Sequence, residues 1–243
     1  ADVTIALSSN ITSEATVSPS GLTFTNGNWD SAQTVTVTGV NDDVDDGDIA
    51  YTIVTGDTVS TDGNYSGLTV SDVTGTNTDD DTAGITVTPT SGLTTTEAGG
   101  TDTFTVVLDS EPTANVVIGV SSNDTSEGTV SPSTLTFTSG NWDSTQTVTL
   151  TGVDDALVDG NVAYTIVTAA ATSGDGNYNG TNADDVTATN NDNDVAGVTV
   201  NQTSGLITTE AGGTATFTVV LNTQPTADVT IALSSNITSE ATV

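Results

Sequence analysis

Thr101-Asp-Thr-Phe-Thr-Val-Val-Leu108, followed after a short connection by Val116-Val-Ile-Gly-Val120, carries the pattern that decides the fold. Phe104, Val106 and Leu108 stand two residues apart, as do Val116, Ile118 and Val120. Each run therefore projects its large apolar side chains to one face of an extended strand. Thr fills many of the partner positions, where a β-branched polar residue suits a solvated sheet face. Working outward, Ile85-Thr86-Val87 predicts a first strand, with the two runs above as second and third. Gly128-Thr129-Val130, followed by Leu135 and Phe137, predicts a fourth. Val148 and Leu150 mark a fifth, Val162, Tyr164 and Ile166 a sixth, and Val186 with Ala188 a seventh. Helix signals are missing. About seven strands in ~110 residues, with turn residues at short spacing, predict an Ig-like β-sandwich and helix content close to nil.

The pattern recurs. Shifting the chain by 113 residues aligns it without a gap, and 75 of the first 113 positions match the second 113. Asn28-Trp29-Asp30 falls on Asn141-Trp142-Asp143, and Thr96-Glu97-Ala98-Gly99-Gly100 falls on Thr209-Glu210-Ala211-Gly212-Gly213. Residues 1–17 return letter for letter as 227–243. A period this long is a whole domain, not a solenoid rung of about 20–50 residues. Boundaries fall at Asp79-Asp80-Asp81 and Asp192-Asn193-Asp194, each followed shortly by Ala-Gly and a new first strand. The chain thus reads as tandem sandwiches arranged end to end. Residues 1–82 form a partial sandwich lacking its first two strands, 83–195 a complete one, and 196–243 the first strands of a third. Two accounts fit the ends. One is a window cut from a continuous repeat, which the 17-residue overlap favours, because a donor system gains nothing by duplicating a strand it owns. The other is a tail that completes the head of the next molecule by strand donation.

Charge is the second anomaly: 32 acidic residues with no Lys, Arg or His, a formal net charge of −32. No side-chain ion pair can form, so outside cations must screen the self-repulsion. Nucleic acid and anionic membranes, which need basic contacts, are poor partners. No stretch approaches the ~20 apolar residues that span a bilayer. Cys is absent, which rules out disulfides and thiol chemistry. Without His, Cys or Lys, catalysis would rest on a carboxylate pair or an unaided Ser, so an enzyme is not expected.

Strand parity shows where the acids go. In a seven-strand sandwich the first-to-second, third-to-fourth and fifth-to-sixth connections share one end with the exit of the seventh strand. Those places carry Glu97; Asp124 and Glu127; Asp154, Asp155 and Asp159; and Asp192 with Asp194. Such a cluster would repel itself severely. A hard cation with six to eight oxygen ligands removes the difficulty, and Ca²⁺ suits this flexible donor set better than Mg²⁺. Transition metals are disfavoured without His or Cys. Hydrated acidic turns are the simpler alternative, and Asp124 and Glu127 fit it about as well. In residues 1–82 the corresponding loop reads Asn41-Asp42-Asp43-Val44-Asp45-Asp46-Gly47, with Asp79, Asp80 and Asp81 at the exit. Asp42, Asp43 and Asp46 join these three as candidate ligands, and Glu210 repeats Glu97. The loop is not an EF-hand, because Val44 and Ile53 occupy ligand positions.

Three pieces of the repeat resemble the Calx-beta family, a sandwich of exchangers and large bacterial surface proteins. They are Glu97 in Thr-Glu-Ala-Gly-Gly, the Asp154-Asp155-Ala-Leu-Val-Asp159-Gly160 loop, and Asp192-Asn193-Asp194. The resemblance covers the whole chain and implies Ca²⁺ bound at the domain end by these acids. The family's Asp-Tyr before the Leu-Thr-Phe strand is missing, with Ser131-Pro132-Ser133 near its place. The function expected is a structural segment of a long bacterial extracellular protein, an adhesin stalk or surface filament rigidified by Ca²⁺ at its junctions. Its partners would be neighbouring repeats or identical subunits, head to tail or lateral. The alternative is a binding module that recognises glycan or another cell through exposed loops. Trp29 and Trp142 read as core or edge anchors, and Tyr65 and Tyr178 as turn-packing residues.

Overall fold

A computed structural model describes residues 1–243 and contains strands but no helix. Residues 1–82 hold β1 (Val3–Ser9), β2 (Ala15–Ser18), β3 (Gly21–Phe24), β4 (Thr36–Gly39), β5 (Ile49–Thr55), β6 (Val59–Ser60) and β7 (Val73–Asn77). Next come β8 (Ile85–Thr88), β9 (Leu93–Thr96), β10 (Thr101–Leu108), β11 (Val116–Ser122) and β12 (Gly128–Ser131). They are followed by β13 (Thr134–Phe137), β14 (Gln146–Gly152), β15 (Val162–Thr168), β16 (Thr172–Ser173) and β17 (Val186–Asn191). The last two are β18 (Val198–Asn201) and β19 (Thr218–Leu221). With the 113-residue shift, β1–β7 coincide with β11–β17, and β18 and β19 with β8 and the second half of β10.

Strands β8–β17 form two facing sheets, one of four strands in the order β12-β14-β10-β8, the other β13-β11-β15-β17-β9 with β16 beside β11. The β10 alternation does what its letters predict: Phe104, Val106 and Leu108 are at most 2% exposed. They belong to a cluster of 19 buried side chains drawn from both sheets, Val116, Ile118, Leu135, Phe137 and Ile166 among them. Burying a Val, Leu, Ile or Phe contributes about 1.5–3 kcal/mol each, so this cluster dominates the stability of the chain.

Two predicted strands are each two strands in opposite sheets. The first ends at Pro89 and resumes as β9, which pairs in parallel with β17 through Leu93 and Ala188. The fourth divides at Pro132 into β12 on β14 and β13 on β11. Proline cannot donate to a ladder, so the chain leaves one sheet there and joins the other. In the first case Gly92 helps redirect it, with φ of 81°, a backbone angle that side chains disfavour.

Residues 1–82 repeat β11–β17 without strands corresponding to β8–β10. Their sheets are β3-β1-β5-β7, with β6 on β1, and a separate β2-β4 pair. Strand β14, held between β12 and β10, has seven residues. Strand β4, paired with β2 alone, has four. Trp29 and Tyr65, expected as packed residues, are 71% and 51% exposed, whereas Trp142 packs against the core and Tyr178 is 1% exposed. The difference lies in what covers them, since both pairs stand in matching sequence.

In urea unfolding followed by far-UV circular dichroism, Ile118→Ala should lower the main transition by about 2–5 kcal/mol. Ile5→Ala, at the equivalent position but outside that core, should move it by no more than about 0.5 kcal/mol.

Candidate metal centre

Each acid reaches the end of the sandwich from a different connection. Glu97 follows β9, Glu127 precedes β12, Asp154, Asp155 and Asp159 lie between β14 and β15, and Asp192 and Asp194 follow β17. The folded chain brings three groups together, with one carboxylate oxygen from each member within 4.8 Å of the others: Glu97, Asp192 and Asp194; Glu127, Asp155 and Asp159; and Glu14, Asp42 and Asp46. The third group is the second moved by 113 residues.

The backbone aims these side chains. Asp192 accepts the Asp194 N–H at 2.7 Å and the Gly160 N–H at 2.8 Å, tying the exit of β17 to the β14–β15 loop. Gly160 has φ of 80°, which that turn requires. Asp79 repeats the arrangement on Asp81 N–H at 2.8 Å and Gly47 N–H at 2.7 Å. Glu97 is 4% exposed and accepts the Asn193 N–H at 2.9 Å. Glu127 is 7% exposed and receives the Asn190 side-chain amide at 3.4 Å. Asn190 also donates to the Val153 carbonyl, and its oxygen accepts from Thr95, whose hydroxyl contacts that of Tyr164. A buried polar chain thus runs from the core to Glu127. One atom is left over: Asp194 Oδ2 is buried and has no hydrogen-bond partner.

Crowding shifts the titrations. Burial is the main cause that raises Asp194, followed by the charges of Asp192, Asp154, Asp155 and Asp159. On Glu97 the Asn193 N–H pulls downward, but burial and the charges of Asp192, Asp155 and Asp194 outweigh it and the net shift is upward. Glu127 rises through burial and through Asp159, Asp124 and Asp155, against the opposing Asn190 bond. Asp46 and Asp81 rise for the same reasons, burial first. Asp192 and Asp79 are lowered by the backbone N–H groups they accept. Asp155 acts on both Glu97 and Glu127, so the two groups of the middle sandwich adjoin.

Several candidate ligands stand beside these groups rather than in them. Asp154 contacts the Asn193 side chain at 3.4 Å and acts on Asp194 through its charge. Asp43, Asp79 and Asp80 act on Asp81 in the same way. Asp79, Asp80 and Asp81 line one cleft with Glu14, Asp42 and Asp46, but no counterpart of Glu97 is present there. Glu210 is exposed and belongs to none of the three groups. Asp124 is occupied by the Ser126 hydroxyl and N–H and is lowered by them, so it serves as a turn acceptor. Sequence reasoning did not single out Glu14 and left Glu127 undecided. The available signal was Ser-Glu-(Ala/Gly)-Thr-Val at the same place in both repeats.

The acidic loops also touch the next stretch of chain. The Asp43 carbonyl accepts the Glu111 N–H at 2.6 Å, and 113 residues on the Ala156 carbonyl accepts the Gln224 N–H at 2.7 Å. Asp45 adds a carboxylate bond to the Ala83 N–H at 2.8 Å and a carbonyl bond to the Asn177 amide at 2.5 Å.

No protein-family model matches the chain. No curated protein matches it. Among solved structures it is similar to domains 4 and 5 of the S-layer protein SbsC, at 21% identity over 77% of this chain and 69% of that one, with a TM-score of 0.33. It is similar to CBD12 from CALX1.2 at 18% identity over 70% and 68%, with a TM-score of 0.35. It is also similar to WR4, a C. elegans MSP family member, at 14% identity over 44% and 95%, with a TM-score of 0.29. Likenesses this distant leave the fold defined by the chain's own sheets.

The titrations set a pH dependence. Carboxyls raised in the fold (Glu97, Glu127, Asp194, Asp46, Asp81) bind protons more tightly folded than unfolded, so their charged forms destabilise. Stability therefore falls as pH rises from their ordinary values, 3.8 for Asp and 4.5 for Glu, through the raised ones. Carboxyls lowered in the fold (Asp79, Asp124, Asp175, Asp192) stabilise above their ordinary value, and that contribution is lost as pH falls through the lowered one. With chelator present, thermal unfolding should peak at about pH 4–4.5 and decline on both sides. A cation held by these carboxylates would remove the decline toward neutrality, because ligands must be deprotonated to bind it.

Proposed function

We propose that this chain is a structural repeat segment of a long extracellular surface protein, with Ca²⁺ holding the junctions between successive sandwiches stiff. The observation that carries this reading is the buried, unpartnered Oδ2 of Asp194, a residue whose carboxylate comes within 4.8 Å of those of Glu97 and Asp192. A buried charged oxygen without a partner is costly, and here every neighbouring charge has the same sign. The donors are carboxylate oxygens, a set that fits Ca²⁺ and offers nothing to a metal that prefers nitrogen or sulfur.

Glu97, Asp192 and Asp194 would hold one ion and Glu127, Asp155 and Asp159 an adjoining one, with Asp154 beside them. Glu14, Asp42 and Asp46 would hold the counterpart in residues 1–82, next to Asp43 and Asp79–Asp81. A bound cation supplies opposite charge and ties three connections into one body. Stiffening follows from the loop itself: the segment carrying Asp155 and Asp159 also presents the Ala156 carbonyl to Gln224. Ordering that loop orders the contact with the next stretch, and the Asp43–Glu111 bond repeats the device. Metal that binds only the ordered junction stabilises it by RT ln(1 + [L]/Kd), about 2.7 kcal/mol at 100 Kd. Extracellular modules bind Ca²⁺ at about 10⁻⁴–10⁻³ M, so such a junction would set only outside the cell. On this reading the carboxylates are ligands rather than catalysts, and residues 1–82, 83–195 and 196–243 are units of one array.

Ca²⁺ titrated into the chelated protein should raise its melting temperature and extend it in small-angle scattering. Asp194→Asn should weaken binding by roughly tenfold, the expected consequence of removing one charged ligand. Asp143→Asn, exposed and outside the groups, should not. Scattering profiles identical with Ca²⁺ and with chelator would rule the reading out.

A further inference from the structure

The middle sandwich has a second prepared end, away from Glu97 and Asp194. Two buried side chains build it, Tyr178 at 1% exposed and Asp175 at 6%. The Tyr178 hydroxyl donates to the Ser110 carbonyl at 2.7 Å and accepts the Ser110 N–H at 3.0 Å. One carboxylate oxygen of Asp175 accepts the Thr113 N–H at 2.8 Å, and the other accepts the Asn177 N–H at 2.9 Å. Ser110 and Thr113 flank Glu111 in the β10–β11 connection, and Asn177 lies between β16 and β17. The two buried groups therefore fix both connections, and with them the Glu111 N–H and the Asn177 side chain.

Those two donors are the ones that meet the preceding repeat. The Glu111 N–H donates to the Asp43 carbonyl at 2.6 Å, and the Asn177 amide donates to the Asp45 carbonyl at 2.5 Å. Asp45 is gripped from its other side as well. Its carboxylate accepts the N–H of Ala83 at 2.8 Å, and Ala83 packs against the middle core. A charged acceptor makes the stronger kind of hydrogen bond, and Asp45 belongs to none of the three carboxylate groups. We propose that this end of a sandwich is a receptor for the acidic loop of the repeat before it, and that Asp45, clasped between Ala83 and Asn177, closes the joint between residues 1–82 and 83–195 without metal.

The receiving side recurs in the repeat, since Asp62 accepts the Asn64 N–H at 2.9 Å as Asp175 accepts that of Asn177. The loop side does not. Val158 stands where Asp45 does and has no oxygen to offer the Ala196 N–H. The backbone part is kept there, in the bond from Gln224 to the Ala156 carbonyl. The clasp thus distinguishes the first joint, fastened by side chain and backbone, from the second.

The test uses the full chain in chelator, so it reads the joint apart from the Ca²⁺ proposal, which stands or fails on the response to added metal. Amide exchange at Ala83 should be slow in the parent chain and about tenfold faster in Asp45→Ala, the consequence of losing a bond to a charged acceptor. Asp45→Asn, which keeps an acceptor oxygen, should restore most of the protection. The main unfolding transition should stay in place in both, since Asp45 lies outside that core. The protein has no cysteine, so spin labels on Ser31→Cys and Ser144→Cys, exposed and 113 residues apart, report the joint. Their distance distribution should be narrow in the parent chain and should broaden in Asp45→Ala and in Asp175→Asn, which loses one of its two acceptor oxygens. Ala83 exchange unmoved by Asp45→Ala, a distribution as broad in the parent chain as in the variants, or one that narrows only when Ca²⁺ is added would overturn the proposal.

Discussion

Like charge brought together without an opposite charge is the constraint on which the rest of this structure depends. Folding a β-sandwich must place several turns at one end, and in this chain those turns carry carboxylates. Ordinary proteins answer such crowding with Arg or Lys, but here there is none. The fold uses backbone N–H groups as far as they reach: Asp192 takes two, Asp79 takes two and Glu97 takes one. What they cannot satisfy stays raised in pKa or, in the case of Asp194 Oδ2, without any partner. Hydrogen bonds orient the acids without neutralising them, so the repulsion among them persists in the folded chain.

This constraint links the acidic end to the junction. The loop between β14 and β15 carries ligand candidates on its side chains and a junction acceptor on its backbone, at Ala156. The corresponding loop in residues 1–82 does the same through Asp43 and adds Asp45, which grips the Ala83 N–H where the next strand begins. The same few residues therefore carry both the crowded carboxylates and the backbone contacts to the following stretch of chain.

Much of the fold was legible because alternation is a property of each strand's own letters. Phe104, Val106 and Leu108 identify a buried face without reference to anything else, as do Tyr164 and Ile166. Convergence of the acids was legible as well, since strand parity depends only on counting connections. The breaks at Pro89 and Pro132 were visible as residues but not as changes of sheet, because which sheet receives the chain depends on partners far away in sequence. Trp29 and Trp142 show the limit most plainly. Their immediate surroundings match almost letter for letter, yet one is solvated and the other packed, because covering strands are supplied from elsewhere. Glu14 escaped attention and Glu127 stayed undecided for a related reason: a lone Glu in a turn looks hydrated until the fold buries it.

The same dependence on supplied partners separates a repeat from an isolated domain. A β-sandwich is stable when both sheets close on one core, and residues 83–195 achieve this with strands of their own. In residues 1–82 Trp29 is 71% exposed, and in 196–243 Val198 and Val220 are 50% and 61% exposed, so the same letters pack less fully there. At the end of the middle sandwich apolar burial and carboxylate crowding pull in opposite directions: the core draws the connections together, and Glu97, Asp192 and Asp194 repel one another where they meet.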